Sequence, residues 1–341
     1  MTLSALVIAV IAVPVAVALL LAAMVAFGTA APPKAMESIG APFKQMDYRD
    51  LPATECCPLR DGTDLVYRSY LAAGDRVAVL IHGSAGSGSS MHALAKGLQA
   101  SGISAYAPDM RGHGATGQRG DIAYVGQLED DLADFIAFIR SRHSQAQVAL
   151  IGFSSGGGYV LRVAGGTLGG SFDHYVLISP YLGHKAPTQR PNSGGWVAPF
   201  IPRIIALVTL ERMGIHRFEG LPVVAFAIQP GMEKILTTSY SYRLSRNFHP
   251  DADYLGDFRR TPKPMTVVIG ADDETFYADR FAALIHTVRP DIAVSVVPGL
   301  GHVDMTVLPQ GVASVVEALS PRSNASLEVG QALNLIEAGL T

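Results

Sequence analysis

Ser154 lies in Gly152-Phe153-Ser154-Ser155-Gly156, the one G-x-S-x-G run that sits between a strand-like and a helix-like stretch. A serine hydroxyl is a weak nucleophile at neutral pH and needs a base within hydrogen-bond reach, itself oriented by a third group. His302, in Pro298-Gly299-Leu300-Gly301-His302-Val303-Asp304, is the candidate base. The run Gly270-Ala271-Asp272-Asp273-Glu274-Thr275 offers three carboxylates for the third role, and spacing alone leaves Asp272 and Asp273 both open. That acid would fix the imidazole tautomer and stabilise the imidazolium without taking the proton. Acyl transfer also needs backbone N–H donors aimed at the developing oxyanion. Ser155, next to the nucleophile, supplies one. Ser84, in the small-residue run Gly83-Ser84-Ala85-Gly86-Ser87-Gly88, is expected to supply the other. His82, Asp109, Arg111 and His113 read as loop-bracing residues.

These residues need a frame that brings them to one edge. Residues 148–151 form a short apolar run, and Tyr159, Val160, Val163 and Ala164 then recur at helical spacing, so the serine falls at a strand–turn–helix apex. Upstream, 63–71 alternates like an antiparallel edge strand after the Asp61-Gly62 turn, and 76–82 reads as a strand buried on both faces. A helix at 90–99, a strand at 103–107 and a one-faced helix at 128–140 follow. A strand at 175–179 completes the first half. The alternation resumes with a strand at 265–270, a helix at 276–288, a strand at 293–297 and a helix at 305–319. Such alternation predicts an α/β fold, a mainly parallel sheet with helices on both faces. Residues 181–262 interrupt it with Pro- and Gly-rich turns, an apolar helical stretch near 204–213 and an aromatic segment at 239–258. An insertion there predicts a cap over the C-terminal edge of the sheet, where α/β sheets bind ligands.

The 341 residues and 49% hydrophobic content are enough for a sizeable core. Net charge is −3 and no Lys/Arg run occurs, which speaks against a nucleic-acid partner. Cys56 and Cys57 are adjacent, and no Cys/His spacing suggests zinc; neither metal nor cofactor is expected. Residues 1–33 carry no charged side chain, and 3–27 are apolar for a length that crosses a ~30 Å hydrocarbon core. Residues 1–30 are therefore expected to be a single-span membrane anchor. The alternative is a signal peptide cleaved near Gly28-Thr29-Ala30-Ala31, which would leave a secreted or periplasmic protein. Residues 31–60 read as a linker, 61–320 as the catalytic domain and 321–341 as a tail. Nothing in the sequence sets the oligomeric state.

Taken together, the His82-Gly83 loop, Asp109-Met110-Arg111-Gly112-His113-Gly114, the Gly152–Gly156 elbow, Gly270-Ala271-Asp272-Asp273 and Gly301-His302 resemble the α/β-hydrolase superfamily. Within it the chain is similar to the lysophospholipase, monoglyceride-lipase and serine aminopeptidase group. The resemblance implies a Ser154–Asp273–His302 triad, because the fourth residue of that group's G-x-x-D pattern is the acid. It also implies a serine hydrolase needing no cofactor. An apolar cap and an anchor together point to a lipid-like or other small-molecule ester as substrate. Two alternatives stand. A serine aminopeptidase would hold a substrate amine with a cap carboxylate such as Glu211, Asp251, Asp253 or Asp257; a silent ligand-binding homologue would do no chemistry.

Overall fold

The computed structural model describes residues 3–320, with side chains from residue 12 onward. The expected tail at 321–341 lies outside the described residues. The frame is an eight-stranded sheet. Its strands are β1 (Glu55–Pro58), β2 (Asp64–Tyr70), β3 (Arg76–Ile81), β4 (Ile103–Pro108), β5 (Gln147–Phe153), β6 (His174–Ile178), β10 (Met265–Gly270) and β11 (Ala293–Val297). The cap holds the intervening strands β7 (Val197–Pro199), β8 (Pro222–Phe226) and β9 (Ser239–Ser241). Across the main sheet the order is β1-β2-β4-β3-β5-β6-β10-β11. The first two strands are antiparallel, and every pair from β4 to β11 is parallel.

Side-chain alternation along the strands divides the core in two. Val77, Val79, Val148, Leu150 and Leu177 face helices α4 (Gln127–Arg142), α5 (Ser155–Gly165) and α9 (Arg280–His286). Ala78, Leu80, Ala149, Ile151 and Val176 face α3 (His92–Ala100), α10 (Asp304–Val307) and α11 (Pro309–Ala318). A sheet covered on both faces needs apolar residues at every position, which is why its central strands are continuous hydrophobic runs. The predicted one-faced helix is α4, with Leu128, Leu132, Phe135, Ile136 and Ile139 buried. Helix α9 starts later than its apolar pattern suggests, since the Thr275 and Phe276 N–H groups bond to the Asp273 carboxylate instead of entering a helix. The last predicted helix is split at Pro309, whose preceding residue Leu308 is extended, as residues before proline prefer.

Residues 31–60 are not a bare linker. They contain α2 (Glu37–Lys44), and β1 pairs with β2 so that 63–71 lies inside the sheet, not at its edge. Cys57 on β1 is buried and Cys56 exposed, both as free thiols. Helix α2 seats Ile39 among the residues beneath the sheet, with Met36 and Phe43 partly buried beside it.

Helix α1 spans Leu3–Phe27. Among the described residues no helix is long and apolar enough to cross a membrane; the side chains of α1's first turns lie outside the described set. The C-terminal end of α1 packs against cap helix α6 (Ile201–Arg212). Buried Arg203 joins them: its Nε and Nη2 donate to the Val25 and Ala26 carbonyls at 2.8 and 3.2 Å. Nη1 donates to Pro222 O at 2.9 Å. A guanidinium at a helix C-terminus meets carbonyls that no intrahelical donor reaches. The cap is completed by the antiparallel β7-β8-β9 sheet and by α7 (Tyr242–Asn247) and α8 (Tyr254–Arg260).

Candidate active site

Strand β5 ends at Phe153 and α5 begins at Ser155, leaving Ser154 alone at the apex with φ 56° and ψ −119°. This conformation is strained for a residue with a Cβ, and close packing holds it. A Cβ on Gly152 would collide with the Gly156 backbone, and one on Gly156 with the Ile81 and His82 carbonyls. Both flanking glycines are therefore required. Ser154 N donates to Ile178 O at 2.9 Å, which fixes the turn against β6.

His302 and Asp273 arrive from the loops after β11 and β10. His302 Nε2 lies 2.9 Å from Ser154 Oγ, and Nδ1 lies 2.8 Å from Asp273 Oδ2. An ionised carboxylate only accepts, so Nδ1 carries the ring proton and Nε2 is free to accept from the serine. The ring lies between Phe153 and Phe276, with centroids 4.7 and 5.2 Å away. All three side chains are buried.

The structure distinguishes the three carboxylates by their partners. Asp273 is 1% exposed. Its Oδ1 accepts from Thr275 N, Thr275 Oγ1 and Phe276 N at 2.8, 2.7 and 2.9 Å. Burial alone would raise its pKa. The charge of His302 and the bonds from His302 and Thr275 outweigh burial, and the carboxyl is held below its usual range. Asp272 is exposed, and among the described residues it is Asp273, not Asp272, that pairs with His302. Glu274 acts on the histidine's backbone. Its Oε2 accepts from His302 N at 2.9 Å, and Asp304 Oδ2 accepts from Gly301 N at 2.8 Å, so the two brace the histidine loop. Thr275 was not singled out from sequence. Asp followed two residues later by Thr is the pattern of a local side-chain-to-backbone turn, and that signal was present.

Ser84 and Ser155 sit beside the serine. An added Cβ on Gly83 would lie 3.3 Å from Ser154 Cβ, so the loop after β3 abuts the elbow. Among the described residues the backbone bonds outside regular elements include none from the Ser84 N–H, and Ser155 is the first residue of α5, where an N–H has no intrahelical acceptor. The bracing residues are placed as expected. Asp109 accepts from Gly88 N and Ala115 N, and Arg111 grips Asp131 at 2.7 and 2.8 Å. Desolvation pulls the pKa of buried His82 below the usual histidine range, and its Nε2 accepts from Met110 N at 3.2 Å.

Ser154 and His302 open onto a cavity of about 1490 Å³. Its walls come from three places: the elbow and the loop after β3, the cap (Ile204, Val208, Val223, Phe226), and the segment carrying α2 (Ile39, Phe43). The third wall was not foreseen.

The family model described as serine aminopeptidase, S33 matches residues 73–303, more than half of the chain. The chain belongs to that family. It is a hydrolase of the α/β-hydrolase fold. No curated protein matches it at a significant level. Among solved structures it is similar to a soluble variant of the Saccharomyces cerevisiae monoglyceride lipase in complex with a substrate analogue. That match has a TM-score of 0.60 and 15% identity, covering 80% of this chain and 95% of the lipase. The Paleococcus ferrophilus monoacylglycerol lipase gives a TM-score of 0.54 at 19% identity, covering 74% and 97%. A Bacillus anthracis bromoperoxidase gives 0.55 at 19% identity, covering 78% and 99%. At these identities the likeness shows the fold alone. As a member of the S33 family, the chain combines that fold with a complete serine–histidine–aspartate line facing a deep, mostly apolar cavity.

Proposed function

We propose that this protein is a membrane-anchored serine esterase acting on amphiphilic carboxylic esters, such as monoacylglycerols or lysophospholipids. The observation that carries the reading is the hydrogen-bonded line Ser154 Oγ–His302 Nε2 and His302 Nδ1–Asp273 Oδ2 at the wall of the apolar cavity. Ser154 Oγ attacks the ester carbonyl as His302 takes its proton, and Asp273 stabilises the resulting imidazolium. The oxyanion is met by the Ser84 and Ser155 N–H groups. His302 then protonates the leaving alcohol, and a water activated by the same imidazole releases the acid.

Cleavage of a peptide N-terminus would need a carboxylate for the substrate amine, and each of the four candidates in the cap is already paired with an arginine. Glu211 is bound to Arg246 at 2.8 Å and to Tyr242 Oη at 2.6 Å. Asp251 pairs with Arg162 at 2.5 Å, and Asp253 and Asp257 with Arg260. This favours an ester over a peptide. A silent binder would have no use for the elbow strain or for the filled triad.

Anchoring through α1 is supported by its lack of charge and by its exposed apolar residues Leu19 and Phe27. Ile201 and Ile205 of α6 are each 52% exposed, which supports a bilayer-facing side of the cap. Signal cleavage after residue 28 would strip Arg203 of the Val25 and Ala26 carbonyls, which favours an uncleaved helix.

The test is to treat the full chain in detergent with a fluorophosphonate and weigh it intact, beside Ser154→Ala and His302→Ala. A single adduct on the wild type only, in the 152–156 peptide, is expected, followed by rising activity from short-chain to long-chain esters. A folded protein with no adduct refutes the esterase reading, and activity that falls steadily with chain length refutes the lipid part. Retention in the membrane fraction after alkaline carbonate is expected for α1, and release refutes the anchor.

A further inference from the structure

The loop that carries Ser84 is held from above by the cap. Trp196 Nε1 donates to Ser84 Oγ at 2.8 Å. Tyr240 Oη accepts from Ala85 N at 2.8 Å, and Ala85 O accepts from Thr237 N at 3.0 Å. Ala85 has φ 64°, a left-handed conformation that a residue with a Cβ adopts at a cost, and both of its peptide groups are tied to the cap. Tyr240 is itself pinned. Its hydroxyl lies 2.6 Å from His113 Nε2, while Nδ1 of that ring faces the Met110 and Arg111 carbonyls at 3.2 and 3.3 Å. Nδ1 therefore carries the proton, and Nε2 accepts from the tyrosine. Burial and the neighbouring His82 hold His113 far below the usual histidine range, which keeps that ring neutral and able to accept. On the other side Trp196 stacks on Phe226 at 5.7 Å, and Phe226 meets Tyr240 edge-on at 4.6 Å. The strained loop is thus fastened to one aromatic unit of the cap, itself locked to the loop after β4.

We propose that Trp196 and Tyr240 are positioning residues for acyl transfer: they hold Ser84–Ala85 in the backbone conformation that aims the Ser84 N–H at the oxyanion. The cap then serves twice. It walls the cavity, and it completes the electrostatic site, so any displacement of the cap loosens a donor that acts on the transition state. The proposal rests on Ser84 being an oxyanion donor to an ester held on Ser154.

Tyr240→Phe, Trp196→Phe and Ser84→Ala, each in the full chain in detergent, test it with p-nitrophenyl butyrate. Removing an oxyanion donor costs about 10²–10³ in kcat, and a donor that is kept but loosened is expected to cost about 10–100-fold. KM should stay within about threefold, because the neutral carbonyl of the bound ester uses that donor least. The distinguishing readout is a pair of inhibitors, a trifluoromethyl ketone that adds to Ser154 and makes an oxyanion, and the matching methyl ketone that does not. Affinity for the first should fall with kcat, and affinity for the second should hold. Trp196→Phe and Ser84→Ala cut the same bond from opposite ends, so their double variant should be no slower than either alone. Trp196 is the chain's one tryptophan, and its emission should shift on addition of the trifluoromethyl ketone and in Ser84→Ala.

Variants with wild-type kcat overturn the proposal, as does an equal loss for both ketones, which would mark a merely structural role. If Tyr240→Phe fails to fold, Ser84→Ala and Trp196→Phe decide alone. A wild type that takes no fluorophosphonate adduct removes the esterase reading and this proposal together. A labelled wild type with unaffected variants removes this proposal only.

Discussion

Replacing Asp273 by Asn tests the triad with an outcome fixed by geometry. In the wild type three donors converge on Oδ1, two backbone N–H groups and the Thr275 hydroxyl, while Oδ2 faces His302 Nδ1. An asparagine has one oxygen, and the three donors require it on their side. Its NH₂ must then point at Nδ1 and donate to it; the Thr275 hydroxyl, also 2.9 Å from Nδ1, already donates to the amide oxygen, so the amide N–H drives the ring to present Nδ1 as an acceptor. The ring proton moves to Nε2, the atom 2.9 Å from Ser154 Oγ, and His302 can no longer take the serine proton. A wrong tautomer of this kind costs about 10⁴ in kcat, or about 5.4 kcal/mol at 1.36 per decade. Asp272→Asn, on an exposed side chain, should stay within about twofold. The assay is kcat for p-nitrophenyl butyrate on both variants, with thermal unfolding to verify that each is folded. A folded Asp273→Asn that keeps more than about a tenth of wild-type kcat would refute the reasoning, and so would an Asp272→Asn that loses as much.

Other substitutions probe other parts. Arg203→Met removes the guanidinium from three carbonyls and should cost about 2–4 kcal/mol, by the usual worth of hydrogen bonds to a charged group; a fall in thermal midpoint and new proteolysis between residues 28 and 36 are expected, and an unchanged midpoint contradicts the docking of α1. Asp257, buried with Oδ2 unpartnered, has its pKa raised by desolvation, with Asp251 adding repulsion, to about 6. A raised carboxyl favours the fold while protonated, so this contribution is full below about pH 4 and lost as pH rises through 6, by at most about 3 kcal/mol. Asp257→Asn should therefore flatten the stability profile between pH 4 and 7, and an unaltered slope in denaturant titrations rules that out. Ile39→Asp should lift α2 off the cavity and raise KM about tenfold for long-chain esters while sparing butyrate, since a tenfold loss needs only ~55 Å² of apolar contact. Equal effects on both esters would refute a wall role for α2.

The parts written in local pattern were legible. The strand–turn–helix around Ser154 follows from a run of apolar residues broken by glycines, and the parallel sheet from strands that are hydrophobic throughout. Asp272 and Asp273 could not be separated by pattern, because their difference is burial and the company of Thr275. Helix α2 was missed because Pro42 and Gly40 obscure an eight-residue helix whose apolar face matters only once folded. Strand β1 is four residues long and depends on pairing with β2. The contact of Trp196 with Ser84 bridges 112 positions, and neither residue carries a local sign of the other.

The region matched by the family model begins at residue 73, whereas Ile39 and Phe43 of the cavity wall precede it. The reacting groups and one wall of the cavity thus belong to separate stretches of one chain. Residues 36–51 can drift, lengthen or be exchanged without altering any bond among Ser154, His302 and Asp273. Members of the family that share every reacting atom can therefore differ in what they admit. A search for specificity confined to the shared domain would overlook one of the three walls that shape the cavity.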